Sequence, residues 1–370
     1  MEKTVGQISQ SQVYMLFSQY LFTTMLGFRF GPLVQDAHFA AWVPLIVGTC
    51  GGLVITYGSF RLAQRRPLQF FGNYGKDIIG RPLHYPLVFI MIFSYLFSSA
   101  YLLRELVNFI IEVFLLGTPE WAVTTIFAIC ISYAVRSGVG TIFRCAQGVF
   151  FISVIGIIAI PMFIGSEMNA SMAHALINHF DLKGMWNASF FVLTLYGEMA
   201  FILFLFPYFA HPERTMKSLF WASVTSLLII LTNLIPALLI FGPDLTANLV
   251  YPELELIRYI RAGAFLENLD PLLIAIWLTS LFLKISLFLY VAVIALTHTF
   301  SLHDHRPLSL SMSAMMVGLT LFMVKSAPQL THLLTHGELT FLLVTELIPL
   351  LYLIVDWGRA RFKGAELPER

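Results

Sequence analysis

The sequence predicts an all-α integral membrane protein, with about ten transmembrane helices in two inverted five-helix repeats. Three observations predict it. Of 370 residues, 58% are apolar and only 12% charged, with a mean hydropathy of +0.80. A soluble domain carries about 25% charged residues, so there is too little charge here to wet a globular surface. Ten apolar stretches approach the roughly 20 residues needed to cross hydrocarbon. No period-2, polar-in pattern marks a barrel, so each stretch must satisfy its own backbone as a helix. The 22 Lys and Arg against 21 Asp and Glu leave a net charge of +1, which excludes a basic nucleic-acid footprint. The 34 Phe exclude disorder.

The spans fall near residues 12–33, 40–62, 86–114, 120–135, 143–165, 187–209, 217–241, 270–299, 308–326 and 338–357. Residues 1–370 read as one transmembrane domain, with a first repeat at about 8–165, a second at about 185–358 and a tail at 359–370. The first apolar run is longer than a signal-peptide core and lacks a small-residue cleavage site, so it is expected to stay in the mature protein. With the N-terminus in the cytoplasm, 15 Lys and Arg fall on that side and 5 on the other, while Arg104 and Lys284 stay inside the bilayer. That bias predicts both termini in the cytoplasm. Cys50, Cys130 and Cys145 sit in or beside apolar runs and are expected as small buried side chains.

Intramembrane polar residues are expensive and mark interiors or hydrated paths. Span 3 carries Ser94, Ser98, Tyr101, Glu105, Asn108 and Glu112 at spacings of 4, 3, 4, 3 and 4, which is one helical face. This face borders either a hydrated path or a polar partner helix. Arg104 beside it is expected to snorkel or to pair with an acid on a neighbour. Five is odd, so the two halves thread the membrane in opposite senses and spans 1 and 6 correspond. Both are interrupted: span 1 by Ser18, Gln19, Thr23, Thr24, Gly27 and Gly31, span 6 by Tyr196, Gly197 and Glu198. Interrupted spans at matching positions point to a transporter-like site made of broken helices.

Broken helices have a chemical use. Freed N–H groups suit a carboxylate, and freed carbonyls suit an ammonium or a metal cation. A zwitterionic amino acid carries both charges. Thr23, Thr24, Gly27, Tyr196, Gly197 and Glu198 are therefore the candidate lining. Lys284, near the centre of span 8, needs a partner or a lowered pKa, and it is expected either to pair with Glu198, Glu105 or Glu346 or to stand where a cation would bind. Ser98, Glu105, Asn108, Lys284 and Glu346 form the candidate polar or coupling pathway. Neither a phosphate-cradling GxxxxGK[ST] nor an HExxH motif is present, and His332 and His336 lie in a short loop without a third ligand. No catalytic, metal or cofactor site is expected, and an enzyme is disfavoured.

Between spans 7 and 8, Leu254, Leu256, Ile257, Ile260 and Phe265 alternate with Glu253, Glu255, Arg258, Arg261 and Glu267. This predicts a short amphipathic helix on the bilayer surface or over a cavity mouth. The stretch YPELELIRYIRAGAFLENLDPLLIAIWL at 251–278 resembles the connector of the B subunits of spore germinant receptors, the endospore germination permease family. YGEMAFILFLFPYF at 196–209, the following HPERTMKSLFWA, and ISQSQ entering span 1 are similar to the same family. The resemblance covers nearly the whole chain in order and length. It implies the ten-helix, inverted-repeat fold of the amino acid, polyamine and organocation transporter superfamily, with residence in the spore inner membrane. It also implies assembly with a membrane A subunit and a lipoprotein C subunit, and recognition of a small nutrient germinant that starts germination. A proton-coupled amino acid transporter is the alternative. The family's pocket, between spans 1, 3, 6 and 8, maps onto Thr23, Thr24, Gly27, Tyr101, Gly197, Glu198, Met199 and Lys284.

Overall fold

The computed structural model describes residues 7–258, 270–323 and 339–363. The connector beyond Arg258, the loop carrying Lys325, His332 and His336, and the last residues of the tail lie outside the described residues. All ten expected spans appear as helical segments. Span 1 comprises α1 (Gln10–Thr24), a π-helical turn (Met25–Arg29) and α2 (Phe30–Ala37). Span 2 is α3 (Trp42–Gln64); a short α4 (Phe71–Ile79) precedes α5 (Arg81–Val113), and α6 (Glu120–Ser137) and α7 (Val139–Ile164) complete the first half. The second half holds α8 (Leu182–Gly197), a 3-10 turn (Glu198–Phe201), α9 (Ile202–Leu205), α10 (Thr215–Asn248), the connector helix α11 (Pro252–Arg258), α12 (Asp270–Thr299), α13 (Arg306–Phe322) and α14 (Leu339–Lys363).

Among the described residues, seven helices are long and apolar enough to cross a membrane. The other three expected spans fall short for visible reasons. Span 1 is divided by its break, α6 has 18 residues with charged ends, and α13 has 17. The chain is a multi-pass membrane protein.

Local signals set the ends. Ser9 and Gln12 form a reciprocal capping box that starts α1. Just before it, Ile8 N–H donates to Tyr208 O at 3.0 Å and Ala210 N–H donates to Ile8 O at 2.9 Å, which pins the N-terminus to the end of span 6. Gly80 and Gly138, at φ of 86° and 90°, make the tight turns between α4 and α5 and between α6 and α7, where a side chain would be strained. The helices pack in pairs, with α3 along α8, α5 along α12 and α1 along α10. The first pair approaches closely through small residues: a Cβ at Gly48 or Gly52 would lie only 2.5 Å from Val192 Cβ or 2.4 Å from Tyr196 Cβ.

The outer surface is apolar, with Val54, Trp121, Ile126 and Phe151 exposed. Cys50, Cys130 and Cys145 lie exposed on it, not buried as expected. Lipid removes the need to hide an apolar side chain, so an apolar run does not imply an inward-facing residue.

Candidate ligand-binding site

Both interrupted spans change their winding where expected. In span 1 the π-helical turn includes Gly27 and ends at Arg29, whose φ of −119° and ψ of −3° depart from regular α-helical values before α2 resumes. In span 6 the α-helix gives way to a 3-10 turn immediately after Gly197. The chain stays coiled through both breaks, so few backbone groups are freed and side chains supply most of the polar chemistry. The indole Nε1 of Trp277 donates to Thr23 O at 3.0 Å, occupying a carbonyl beside the first break.

A cavity of about 30 Å³ lies between spans 1, 3, 6 and 10, lined by Thr24, Ser98, Tyr101, Thr194 and Glu198 among others. Arg29 closes one side. Its guanidinium donates to Glu105 Oε1 at 2.8 Å and also to the Tyr101 hydroxyl, which in turn donates to Glu105. Phe191, Leu339 and Leu342 supply the apolar wall. On the other side Lys284 pairs with Glu198 at 2.8 Å, and its ammonium sits 4.1 Å from the centre of the Tyr20 ring. The Tyr20 hydroxyl donates to Glu198 Oε2 at 3.0 Å. Glu346 from α14 approaches Gly197, where a Cβ would fall 2.2 Å from its Oε2. Among the described residues, Glu346 Oε2, Glu105 Oε2 and Thr24 Oγ1 are buried without hydrogen-bond partners.

These five ionisable groups are the chemical content of the site. Among the described residues two cations face three carboxylates, so one negative charge of this set remains uncompensated when all are ionised. An incoming ammonium or a proton balances it, whereas an isolated buried charge is costly.

Not every expected residue reaches the cavity. Thr24, Ser98, Tyr101 and Glu198 line it. Gly197 backs it against Glu346. Thr23 turns back on its own helix, its hydroxyl donating to Gln19 O at 2.5 Å. Gly27 faces a different pocket beneath Trp277. Tyr196 packs against Gly52 and donates to Ser226 Oγ at 3.3 Å, while Met199 is buried with its sulfur 4.0 Å from Ser223 Oγ. Of the span 3 stripe, Asn108 is half-buried and Glu112 accepts from the Tyr251 hydroxyl at 2.9 Å. Arg104 pairs with Glu120 at 2.6 Å, the acid on a neighbouring helix that its position required.

Arg29 was not foreseen, because a count of loop charges places it at the membrane edge. Its signal was present all the same: a cation between Phe28 and Phe30, five residues past Thr24 on an interrupted span. Phe191, Thr194, Leu339 and Leu342 carry no such signal.

The profile of the family described as "Spore germination protein" matches residues 7–330. The chain belongs to that family. Among its relatives, Spore germination protein KB of Bacillus subtilis (strain 168) is 23% identical over 360 residues, covering 92% of this chain and 94% of the relative. Spore germination protein XB of Bacillus anthracis is 28% identical over 225 residues, 59% of each chain. In solved structures, MhsT in complex with L-phenylalanine superposes with a TM-score of 0.71 at 13% identity, covering 97% of this chain and 96% of that one. MHP1, a nucleobase-cation-symport-1 family transporter in a closed conformation, gives a TM-score of 0.66 at 10% identity, covering 99% and 82%. The fold is therefore that of the LeuT-like membrane transporters.

Proposed function

We propose that this chain is the germinant-sensing B subunit of a spore nutrient receptor, and that the cavity between spans 1, 3, 6 and 10 takes a small zwitterion, an amino acid. The observation that carries this reading is the pairing of an Arg29 clamp on one side of the cavity with a carboxylate surplus at Glu198 and Glu346 on the other. A ligand carboxylate is drawn toward Arg29 and Thr24, and a ligand ammonium toward Glu198. In this reading the protein sits in the spore inner membrane with both termini toward the core, alongside a membrane A subunit and a lipoprotein C subunit. Its two repeats run over about 8–165 and 185–358.

The size of the cavity suggests how sensing works. About 30 Å³ admits a water or two. Even a small amino acid enters only if span 6 or span 10 yields, so binding and conformation are linked, and the ligand favours whichever state has the larger cavity. That shift is what partner subunits would read.

Spores carrying Tyr101→Phe or Thr24→Val test the proposal through germination dose–response curves to a panel of amino acids. At normal protein levels, both are expected to shift the half-maximal concentration; unchanged curves for both would remove the pocket assignment. Proton-coupled amino acid transport is the second reading. It is favoured by unpartnered Glu346 and by a crevice of about 810 Å³ at the N-terminal face, bounded by Gln7, Tyr208, His298 and Arg306. Labelled amino acid uptake into liposomes, abolished by Glu346→Gln, would favour it.

A further inference from the structure

A second pocket lies on the face away from the N-terminus, under the connector helix α11. It holds about 50 Å³ and is walled by Leu26, Ile157, Ile160, Leu254, Ile257 and Ile274, with Gly27 at its floor. Three aromatic rings complete it. Phe109 meets Trp277 edge-on at 4.5 Å and Tyr251 edge-on at 4.9 Å. Both polar tips point elsewhere: the Trp277 indole N–H is held by Thr23 O, and the Tyr251 hydroxyl by Glu112. Into this apolar box comes one charged group, Glu253. Both of its carboxylate oxygens are buried and neither has a hydrogen-bond partner among the described residues.

Two unmet acceptors in an apolar wall ask for an occupant with at least two donors. A metal cation fits poorly, because hard cations need six or more oxygens and the lining offers one carboxylate. A primary ammonium fits on each count: several N–H donors for the two oxygens, a charge that aromatic rings favour, and a short hydrocarbon body for the aliphatic walls. We propose that the pocket formed by Glu253, Tyr251, Phe109 and Trp277 is a binding site for short alkylammonium ions, distinct from the cavity between spans 1, 3, 6 and 10. Burial alone pushes the Glu253 carboxyl up to about 8, as expected for an acid whose counter-charge arrives with a ligand.

The position gives the site a consequence. Trp277 bridges the pocket to the first break through its hydrogen bond to Thr23, and a Cβ at Gly27 would lie 2.0 Å from its Cζ2. Occupancy of the pocket therefore bears on the ring that braces span 1.

The test uses n-propylammonium as probe and the full chain in nanodiscs, by calorimetric titration and thermal melting. The pH is held between the raised Glu253 value and the usual amine value of about 10.4. Wild type is expected to bind saturably and to melt higher with the probe. Glu253→Gln should weaken binding at least tenfold while melting no lower than wild type without the probe, since it removes an unpaired buried carboxylate. Tyr251→Leu, which keeps the carboxylate, should weaken it severalfold. Glu198→Gln should leave it within twofold, which separates this site from the proposed germinant cavity. Absence of saturable binding, equal affinity in Glu253→Gln, or loss with Glu198→Gln alone would overturn the proposal; in the first two cases Glu253 is simply a buried acid without a ligand.

Discussion

The two sides of the cavity are built from the same residue types and come out differently. At the first break Arg29 meets Glu105, and Tyr101 bridges the two. At the second, Lys284 meets Glu198 directly while Glu346 stands beside Gly197 with its Oε2 free of hydrogen bonds among the described residues. Among the described residues, one side matches cation to carboxylate and the other carries a surplus carboxylate. A matched pair holds geometry. A surplus charge makes the protein's energy depend on what arrives, whether an ammonium group or a proton, so the responsive element is placed at span 6 and the bracing element at span 1.

The largest expected effect that would break this comparison comes from deleting each cation. Removing one partner of a buried pair costs about 3–5 kcal/mol. Lys284→Met strands two carboxylates and Arg29→Met strands one, so thermal melts in detergent should show the greater loss for Lys284→Met. Equal losses would mean that Glu346 does not feel Lys284. Next in size, Gly27→Ala drives a methyl into the fixed Trp277 indole, an overpacking change worth about 1–3 kcal/mol. Gly197→Ala meets chiefly the movable end of Glu346, with Ile55 Cδ1 at ordinary contact distance, and should cost less, which melting of the two variants side by side would show.

A further effect concerns pH. Glu253, raised from 4.5 to about 8 by burial, binds a proton in the folded chain that the unfolded chain has already lost over that range. Its contribution to stability is therefore present at low pH and fades as pH rises through about 8. Wild type should lose melting temperature relative to Glu253→Gln across that window, and parallel curves would place the carboxyl in water.

Much of this was legible in the sequence because the bilayer is a strict solvent. Ten apolar runs became ten helical segments, and the polar interruptions at Gly27 and Gly197 mark real changes of winding. That Lys284 needs a partner followed from the cost of an intramembrane ammonium, while the choice of Glu198 over Glu105 and Glu346 did not. What the sequence hid depends on rotation about a helix axis and on depth. Thr23 and Thr24 are neighbours, yet one bonds its own helix and the other faces the cavity. Tyr196 and Met199, one residue to either side of the Gly197–Glu198 pair, turn into helix packing. Arg29 reads as a loop residue until Glu105 is seen at its depth. The cysteines show the converse, since an apolar run in lipid does not say which side of the helix is covered.

The most direct measurement is equilibrium binding of a panel of amino acids to the purified chain in nanodiscs, comparing wild type with Ser98→Leu. That substitution fills the cavity and leaves both ion pairs intact. Saturable binding of at least one amino acid, weakened tenfold or more by Ser98→Leu in a protein that still melts cooperatively, is the predicted result. The same affinity in both proteins would contradict it.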